Sequence, residues 1–330
     1  MGKGNLSRVL ITGANGFIGR HLCAYLKEKG YFVRAALRCD KRDIPRVDEY
    51  IQVGEINGAT DWQQALTGVE EVVHLAGRAH ILNESNVDPL AAFREVNVLA
   101  TKHLASMAVK AGVKRFVFMS SVKVNGEGAD FPYSEKDVPA PRDAYGISKK
   151  EAEDALASIA AETGLEMVVL RPPLVYGPGV KANFRNLIKI AGLGMPLPLG
   201  GIRNQRSFIH IGNLVDAIGL CIIHPLAAGE TFLVSDGQDI STLDLIKMIA
   251  TALNKKAILF PLPPAVLKGL AALAGQGEAM DKLTGSLRVD CSKIRALLGW
   301  KPPYTLQEGI KETAKLTYNH SSNMLFTFDK

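Results

Sequence analysis

A chain of 330 residues, 47% of them hydrophobic and 22% charged, can bury a full core, and its composition excludes a disordered or fibrous protein. Its formal net charge of +6 comes from dispersed lysines and arginines with no nucleic-acid recognition module, so anionic small molecules suit it better than nucleic acid. The cysteines Cys23, Cys39, Cys221 and Cys291 are scattered without zinc-type spacing, residues 1–7 are polar and glycine-rich rather than a secretory signal, and no apolar run reaches membrane-spanning length. These features lead us to expect a chain of the reducing cytoplasm with no metal ion, no nucleic-acid partner and no stable membrane insertion.

Val9, Leu10 and Ile11 read as a buried parallel strand. The segment 12–19 follows, with Gly13, Gly16 and Gly19 in a G-x-x-G-x-x-G pattern, and Phe17, Ile18, Leu22 and Leu26 continue at helical spacing. Glycines let such a turn adopt positive φ, and a helix opening there aims its N–H groups and positive dipole end at one spot. A strand, glycine turn and helix in this order predict a dinucleotide pyrophosphate held by Gly13, Asn15, Gly16, Phe17, Ile18 and Gly19.

Residues 30–38 read as the second strand. An NAD-type fold ends this strand with a carboxylate for the ribose hydroxyls. Here Leu37 and Arg38 stand in that place, with Lys41 and Arg42 beyond. A guanidinium pairs with a 2′-phosphate, so NADP is expected, with NAD as the other possibility. A third strand over 50–56 ends in Glu55 and Ile56, and Asp61 can cap a helix from Trp62. A fourth strand over 71–77 ends in Leu75, Ala76 and Gly77, small enough at its end for a flat ring to approach, while His74 reads as a packed strand residue. A helix over 93–111 carries Asn97 and stops at Gly112, and a fifth strand covers 114–121. Regular alternation of strand and helix predicts a parallel sheet with right-handed crossovers.

Ser120 and Ser121 end that fifth strand, the edge of an open sheet where ligands sit. Tyr145 and Lys149 open the next helix, which runs through Ala161, and at i, i+4 they share one face. Tyr25 and Lys29 repeat the spacing on the first helix, but only Tyr145 follows a strand-ending serine.

These segments together resemble the extended short-chain dehydrogenase/reductases of the NAD-dependent epimerase/dehydratase family. The resemblance rests on TGANGFIG (12–19), HLAG (74–77), NVLAT (97–101), FVFMSS (116–121), YGISK (145–149), RPPLVYGP (171–178) and RSFIHIGNLVDAI (206–218), and it runs nearly end to end. It implies an α/β fold: a Rossmann-type doubly wound parallel sheet over 1–171, a smaller mixed α/β nucleotide-sugar domain over 172–317 whose elements can cross back, and a tail over 318–330. It implies Tyr145 as proton donor or acceptor, Lys149 as the ribose-binding lysine that lowers the tyrosine pKa, and Ser121 as the donor to the reacting oxygen, with Ser120 as the one-residue alternative. A phenol at its ordinary pKa of about 10 needs such a cation to work near neutrality. Glu55, Ile56, Leu75, Ala76, Gly77, Asn97 and Pro173 join the expected cofactor contacts. Asn183 and Arg206 match the diphosphate-holding Asn and Arg of the family's nucleotide-sugar enzymes, and Pro198 matches the loop beside the base. A homodimer through two helices per subunit, one of them the tyrosine helix, is expected on the same ground.

The departures narrow the reaction. Family dehydratases carry an acidic pair where this chain has Val122 and Lys123, so elimination lacks its acid and base, and Lys123 is counted on the substrate side. Leu174 replaces a hexose-contacting Asn, Val-Asn-Gly (124–126) replaces Val-Tyr-Gly, and Arg288 is the nearest match to a second diphosphate arginine. Arg38 favours reduction of a UDP-4-keto-6-deoxyhexose to a UDP-N-acetylquinovosamine-type product for surface polysaccharide. The alternative is a UDP-glucose or UDP-N-acetylglucosamine 4-epimerase with tightly held NAD. A non-catalytic NADP-sensing relative would carry a damaged Ser/Tyr/Lys set, and the set is intact. A steroid-type ketone reductase shares the Val-Arg-Ala-x-x-Arg strand but has no use for a diphosphate clamp.

Overall fold

The computed structural model describes residues 7–39, 43–79, 88–128, 131–273, 275 and 277–325. Apolar runs become strands β1 (Arg8–Thr12), β2 (Phe32–Leu37), β3 (Glu49–Gln52), β4 (Glu71–His74), β5 (Arg115–Met119) and β6 (Glu166–Arg171). Strands β7 (Leu174–Tyr176) and β8 (Phe208–His210) form a separate parallel pair, and β9 (Thr231–Leu233) rejoins the main sheet. The sheet is seven-stranded and parallel throughout, in the order β3-β2-β1-β4-β5-β6-β9. This is the Rossmann-type doubly wound architecture, with the order reversing beside β1.

Strand periodicity divides the side chains between two cores. Val9, Ile11, Val117 and Met119 face one side, where α1 (Phe17–Glu28) packs with Leu22 and Leu26. Leu10, Phe116 and Phe118 face the other. There the short α2 (Gln63–Leu66) lies with a helix that starts as α3 (Pro89–Arg94), passes through a π turn (Glu95–Leu99) and continues as α4 (Ala100–Lys110). Helix α5 (Ala144–Thr163) adds Ala152 and Leu156 to that layer. Each such fully buried large side chain contributes roughly 2 kcal/mol.

A third core gathers Tyr176, Phe184 and Ile188 from β7 and α6 (Ala182–Leu193). Helix α7 (Ile211–Ile223) returns to the first core and packs on α1. Helix α8 (Thr242–Ala252) joins the third core, followed by α9 (Pro264–Leu273) and α10 (Gly277–Thr284). Helix α11 (Ser292–Leu298) packs Ile294 back onto the first core, and α12 (Leu306–Leu325) packs Ile310 and Ala314 into the third. The later half of the chain therefore serves both units. No described helix is long and apolar enough to cross a membrane.

Several expected boundaries move. The third strand stops at Gln52, leaving Glu55 and Ile56 in the turn beyond it. The fourth strand stops at His74, where its neighbour β1 ends and turns away at Gly13, and the fifth stops at Met119. The long helix begins at Pro89 rather than Phe93, with Asp88 accepting from the Leu90 N–H at 3.0 Å. Asp61 accepts from the Gln63 N–H at 2.9 Å, but the helix it starts lasts one turn. Beyond Thr317, where a tail is expected, α12 continues to Leu325, and 326–330 lie outside the described residues.

His74 is the packed strand residue its neighbours implied. Its Nδ1 lies 2.7 Å from Thr12 Oγ1 and its Nε2 2.9 Å from Thr101 Oγ1. Burial, reinforced by the Lys149 charge, lowers its pKa to about 3, and burial lowers that of His210 to about 4. Both folded values lie below the ordinary 6.5, so the unfolded chain takes up these protons first. Stability from each neutral imidazole is full above pH 6.5 and drains as pH falls toward the folded value. By pH 4.5 each should have lost about 2 kcal/mol. Urea unfolding at pH 7, 5.5 and 4.5 checks this: His74→Gln should remove about half of the acid loss assigned to the pair.

Candidate active site

The glycine turn is shaped by close approach. Gly13 sits at φ +67°, and a Cβ there would lie 2.8 Å from the Ala76 nitrogen. A Cβ on Gly19 would lie 2.3 Å from the Gly13 oxygen, so that glycine lets α1 pack against the turn. Gly16 is exposed, closes the turn by donating to the Gly13 carbonyl at 2.9 Å, and caps α1 with no side-chain partner. The first turn of α1 has no acidic residue. Its N–H groups and dipole therefore face an open, exposed edge at Asn15 and Gly16 that suits an anion. Phe17 and Ile18, half-buried, carry the turn into the first core.

Thr12 Oγ1 accepts from the Ala76 N–H at 3.2 Å and holds Leu75, Ala76 and Gly77 beside the turn. Asn97, in the π turn, is 1% exposed and spends its whole amide on position. It accepts from the Arg78 N–H at 2.8 Å and donates to the Arg78 carbonyl at 3.0 Å and to Ser148 Oγ at 2.9 Å. It rivets the segment after β4 to α5. Arg38 is exposed just past β2, Glu55 is exposed after β3, Ile56 is half-buried there, and Pro173 is buried just after β6. Lys41 and Arg42 lie outside the described residues. Gly13 lets the turn pack directly on the backbone of Leu75 and Ala76, and the exposed Asn15–Gly16 edge at the start of α1, with no acidic residue in that first turn, suits the pyrophosphate of a dinucleotide.

At the end of β5 the two serines separate in role. Ser120 is 2% exposed and donates to Glu153 Oε1 at 2.5 Å. Ser121 caps the short 3-10 turn Val122–Val124, its hydroxyl accepting from the Lys123 N–H at 3.3 Å, and its side chain is among the influences that lower the Tyr145 pKa. Tyr145 lies in the first turn of α5, which Asp143 caps by accepting from the Gly146 N–H at 2.7 Å. The Phe93 ring packs 6.1 Å from the Tyr145 ring. Burial pushes the phenol up to about 12, against the Lys123 charge and the Ser121 hydrogen bond, while Asp143 pushes the same way as burial.

Two lysines stand near the start of α5. The Lys123 charge is among the influences that lower the Tyr145 pKa. Lys149 is 4% exposed, donates to the Met119 carbonyl at 2.9 Å and lies 4.5 Å over the Phe118 ring. Burial lowers its pKa to about 8, with Glu153 opposing. Lys149 faces the strand ends one turn further along α5, close to Gly77, where an added Cβ would come 3.4 Å from its Nζ.

On the substrate side, Lys123 pairs with Asp143 and, at 2.9 Å, with Glu127. Arg206 donates to the Gly285 carbonyl at 2.9 Å, and its backbone bridges Ile240 and Leu287. Burial lowers the Arg206 pKa, with the Glu127 charge opposing, so Glu127 acts on both cations. Pro198 lies in the segment where Leu197 pairs with Leu259, next to buried Leu199. Asn183 belongs to the first turn of α6, and its side chain is outside the described residues.

A buried network beneath the site escaped sequence reasoning. Arg171 Nε and Nη2 donate to Glu153 at 3.0 and 2.5 Å, and Nη1 donates to Asn125 Oδ1 at 3.0 Å. Asn125 Nδ2 donates to the Ser134 carbonyl at 3.0 Å. Ser120, Glu153, Arg171 and Asn125 thus join β5, α5, β6 and the turn after Ser121. The available signal was Glu153 at i+4 from Lys149.

Known proteins resemble this chain along nearly its whole length. The family model described as "Epimerase: NAD dependent epimerase/dehydratase family" matches residues 9–235. The UDP-glucose 4-epimerase of Vibrio cholerae is 46% identical over 312 residues, covering 93% of this chain and 94% of its own. The N-acetyl-alpha-D-glucosaminyl-diphospho-ditrans,octacis-undecaprenol 4-epimerase of Escherichia coli O157:H7 is 28% identical over 97% of this chain and 98% of its own. The dTDP-4-dehydro-6-deoxyglucose reductase of Escherichia coli is 27% identical over 93% and 96%. The solved structure of MoeE5 in complex with UDP-glucose and NAD superposes with TM-score 0.77 at 27% identity, covering 96% of this chain and 100% of that one.

Proposed function

This chain belongs to the NAD-dependent epimerase/dehydratase family, and from that premise we propose that it is a UDP-hexose 4-epimerase. The observation that carries the reading is near-full-length likeness to a UDP-glucose 4-epimerase at 46% identity. The Ser121, Tyr145 and Lys149 set is intact beside it. When bound, a nicotinamide dinucleotide supplies the two-electron acceptor and donor, held by the turn 12–19, by Leu75–Gly77 and by Lys149. Tyr145 moves the proton on the C4 oxygen, and Ser121 donates a hydrogen bond to that oxygen. Arg206, with Asn183, takes the diphosphate, for which a planar guanidinium is suited. Val122 and Lys123, in place of a carboxylate pair, leave no base or acid for elimination.

Arg38 supports a second reading, net reduction of a UDP-4-keto-6-deoxyhexose with diffusible NADPH. The 4-keto reductase relative at 27% identity points the same way, more weakly than the epimerase at 46%. Acid-denatured protein should release close to one NAD per chain, identified by chromatography and an NAD-specific enzymatic assay. Protein that releases no dinucleotide and binds NADPH more tightly than NADH would replace the epimerase reading with the reductase.

A further inference from the structure

Lys123 stands where three segments of the site meet. Its N–H donates to Ser121 Oγ at 3.3 Å. Its ammonium pairs with Asp143, the cap of α5, and with Glu127 at 2.9 Å. Its carbonyl presses on the same helix start, since a Cβ on Gly146 would lie 2.9 Å from it. One residue therefore joins the turn that carries Ser121 to the first turn of the helix that carries Tyr145. An ammonium drawn into the fold between two carboxylates loses hydration, a cost that packing by a neutral side chain would avoid.

We propose that Lys123 is a positioning residue for Tyr145: it ties the start of α5 to the Ser121 turn and sets a positive charge beside the phenol. This rests on Tyr145 as the proton-transfer group of the proposed reaction. Burial dominates the acidity of Tyr145, and Lys123 is the largest influence against it, ahead of the Ser121 hydrogen bond. Asp143 acts in the opposite direction. Burial also works against charge on Lys123, but Asp143 and Glu127 outweigh it, so the lysine pKa is raised and the ammonium persists. Phe93 of α3 packs on the ring, Lys149 is turned to the Met119 carbonyl, and Arg206 faces Glu127. Lys123 is thus a second lysine of the site, distinct in task from the one in the Tyr-x-x-x-Lys spacing.

The test places 3,5-difluorotyrosine at position 145, whose ring fluorines acidify the phenol into a range where the fold survives, and follows its titration by fluorine NMR. Neither substrate nor dinucleotide is needed, so the result is separate from turnover. Lys123→Met should raise the midpoint by about one pH unit or more, and Lys123→Arg should restore most of it. Asp143→Asn keeps a capping oxygen and should lower the midpoint, an opposite sign that loosened packing would not produce. Circular dichroism checks the fold of each variant, and if Lys123→Met does not fold, Asp143→Asn decides alone. A Lys123→Met midpoint equal to the parent's, or an Asp143→Asn midpoint unchanged or raised, overturns the proposal.

Discussion

Tyr145→Phe is expected to cut turnover of a UDP-hexose by about 10³-fold, within the range that loss of a positioned general acid–base group gives. The substitution deletes one oxygen and keeps the ring, so the packing on Phe93 and the cap at Asp143 persist. Ser121 still offers its hydroxyl, but nothing at its side then carries the proton of the C4 oxygen. Lys149 cannot stand in, because it is turned to Met119. Dinucleotide binding should stay within a few-fold, since the glycine turn and Leu75–Gly77 are untouched. Steady-state kinetics with calorimetric titration of the dinucleotide checks both halves. Near-normal turnover would remove Tyr145 from the chemistry.

Arg171→Met should cost about 3–5 kcal/mol of folding stability, the penalty for stranding a buried charge. Arg171 is 6% exposed and Glu153 7% exposed, and the guanidinium makes three hydrogen bonds, two to that carboxylate and one to Asn125. Methionine fills much of the volume but leaves the Glu153 carboxylate with the neutral Ser120 hydroxyl as its hydrogen-bond donor. Adding Glu153→Gln should recover part of the loss, because the stranded charge then disappears. Urea unfolding of the single and double variants measures this. A single variant within about 1 kcal/mol of the parent would show that the pair is not a structural keystone.

Much of this architecture was legible before any coordinates. Val9–Ile11, Val72–His74 and Phe116–Met119 announce buried parallel strands, and the glycine spacing at 13, 16 and 19 announces the turn. Strand ends were overshot at 55–56, 75–77 and 120–121. Apolar and small residues continue there past the paired strand residues, with single backbone bonds such as Ser120 N–H to the Leu170 carbonyl at 2.8 Å, and only the neighbouring strand decides where the ladder stops. The true start of the long helix was written in Asp88-Pro89, a cap followed by proline at the first helical position. The π turn at Asn97 had no such signal. The placing of Ser121 just past a strand end and of Tyr145 and Lys149 on one face of the next helix is legible in the sequence, and their roles come from the family resemblance. The ion pairs of Lys123 are not legible there, because it meets its partners at 127 and 143 only in the folded chain. Arg171 looked like a domain boundary, and its tie to Glu153 and Asn125 is likewise a contact among three distant segments.

The measurement that bears most directly on the proposed activity is proton NMR of the purified protein with UDP-glucose and no added dinucleotide. Epimerisation at C4 predicts UDP-galactose growing to a stable ratio with no nicotinamide consumed, or the same behaviour with the N-acetylhexosamine pair. Failure to interconvert either pair, together with stoichiometric oxidation of NADPH by a UDP-4-keto-6-deoxyhexose, would contradict the epimerase and establish the reductase.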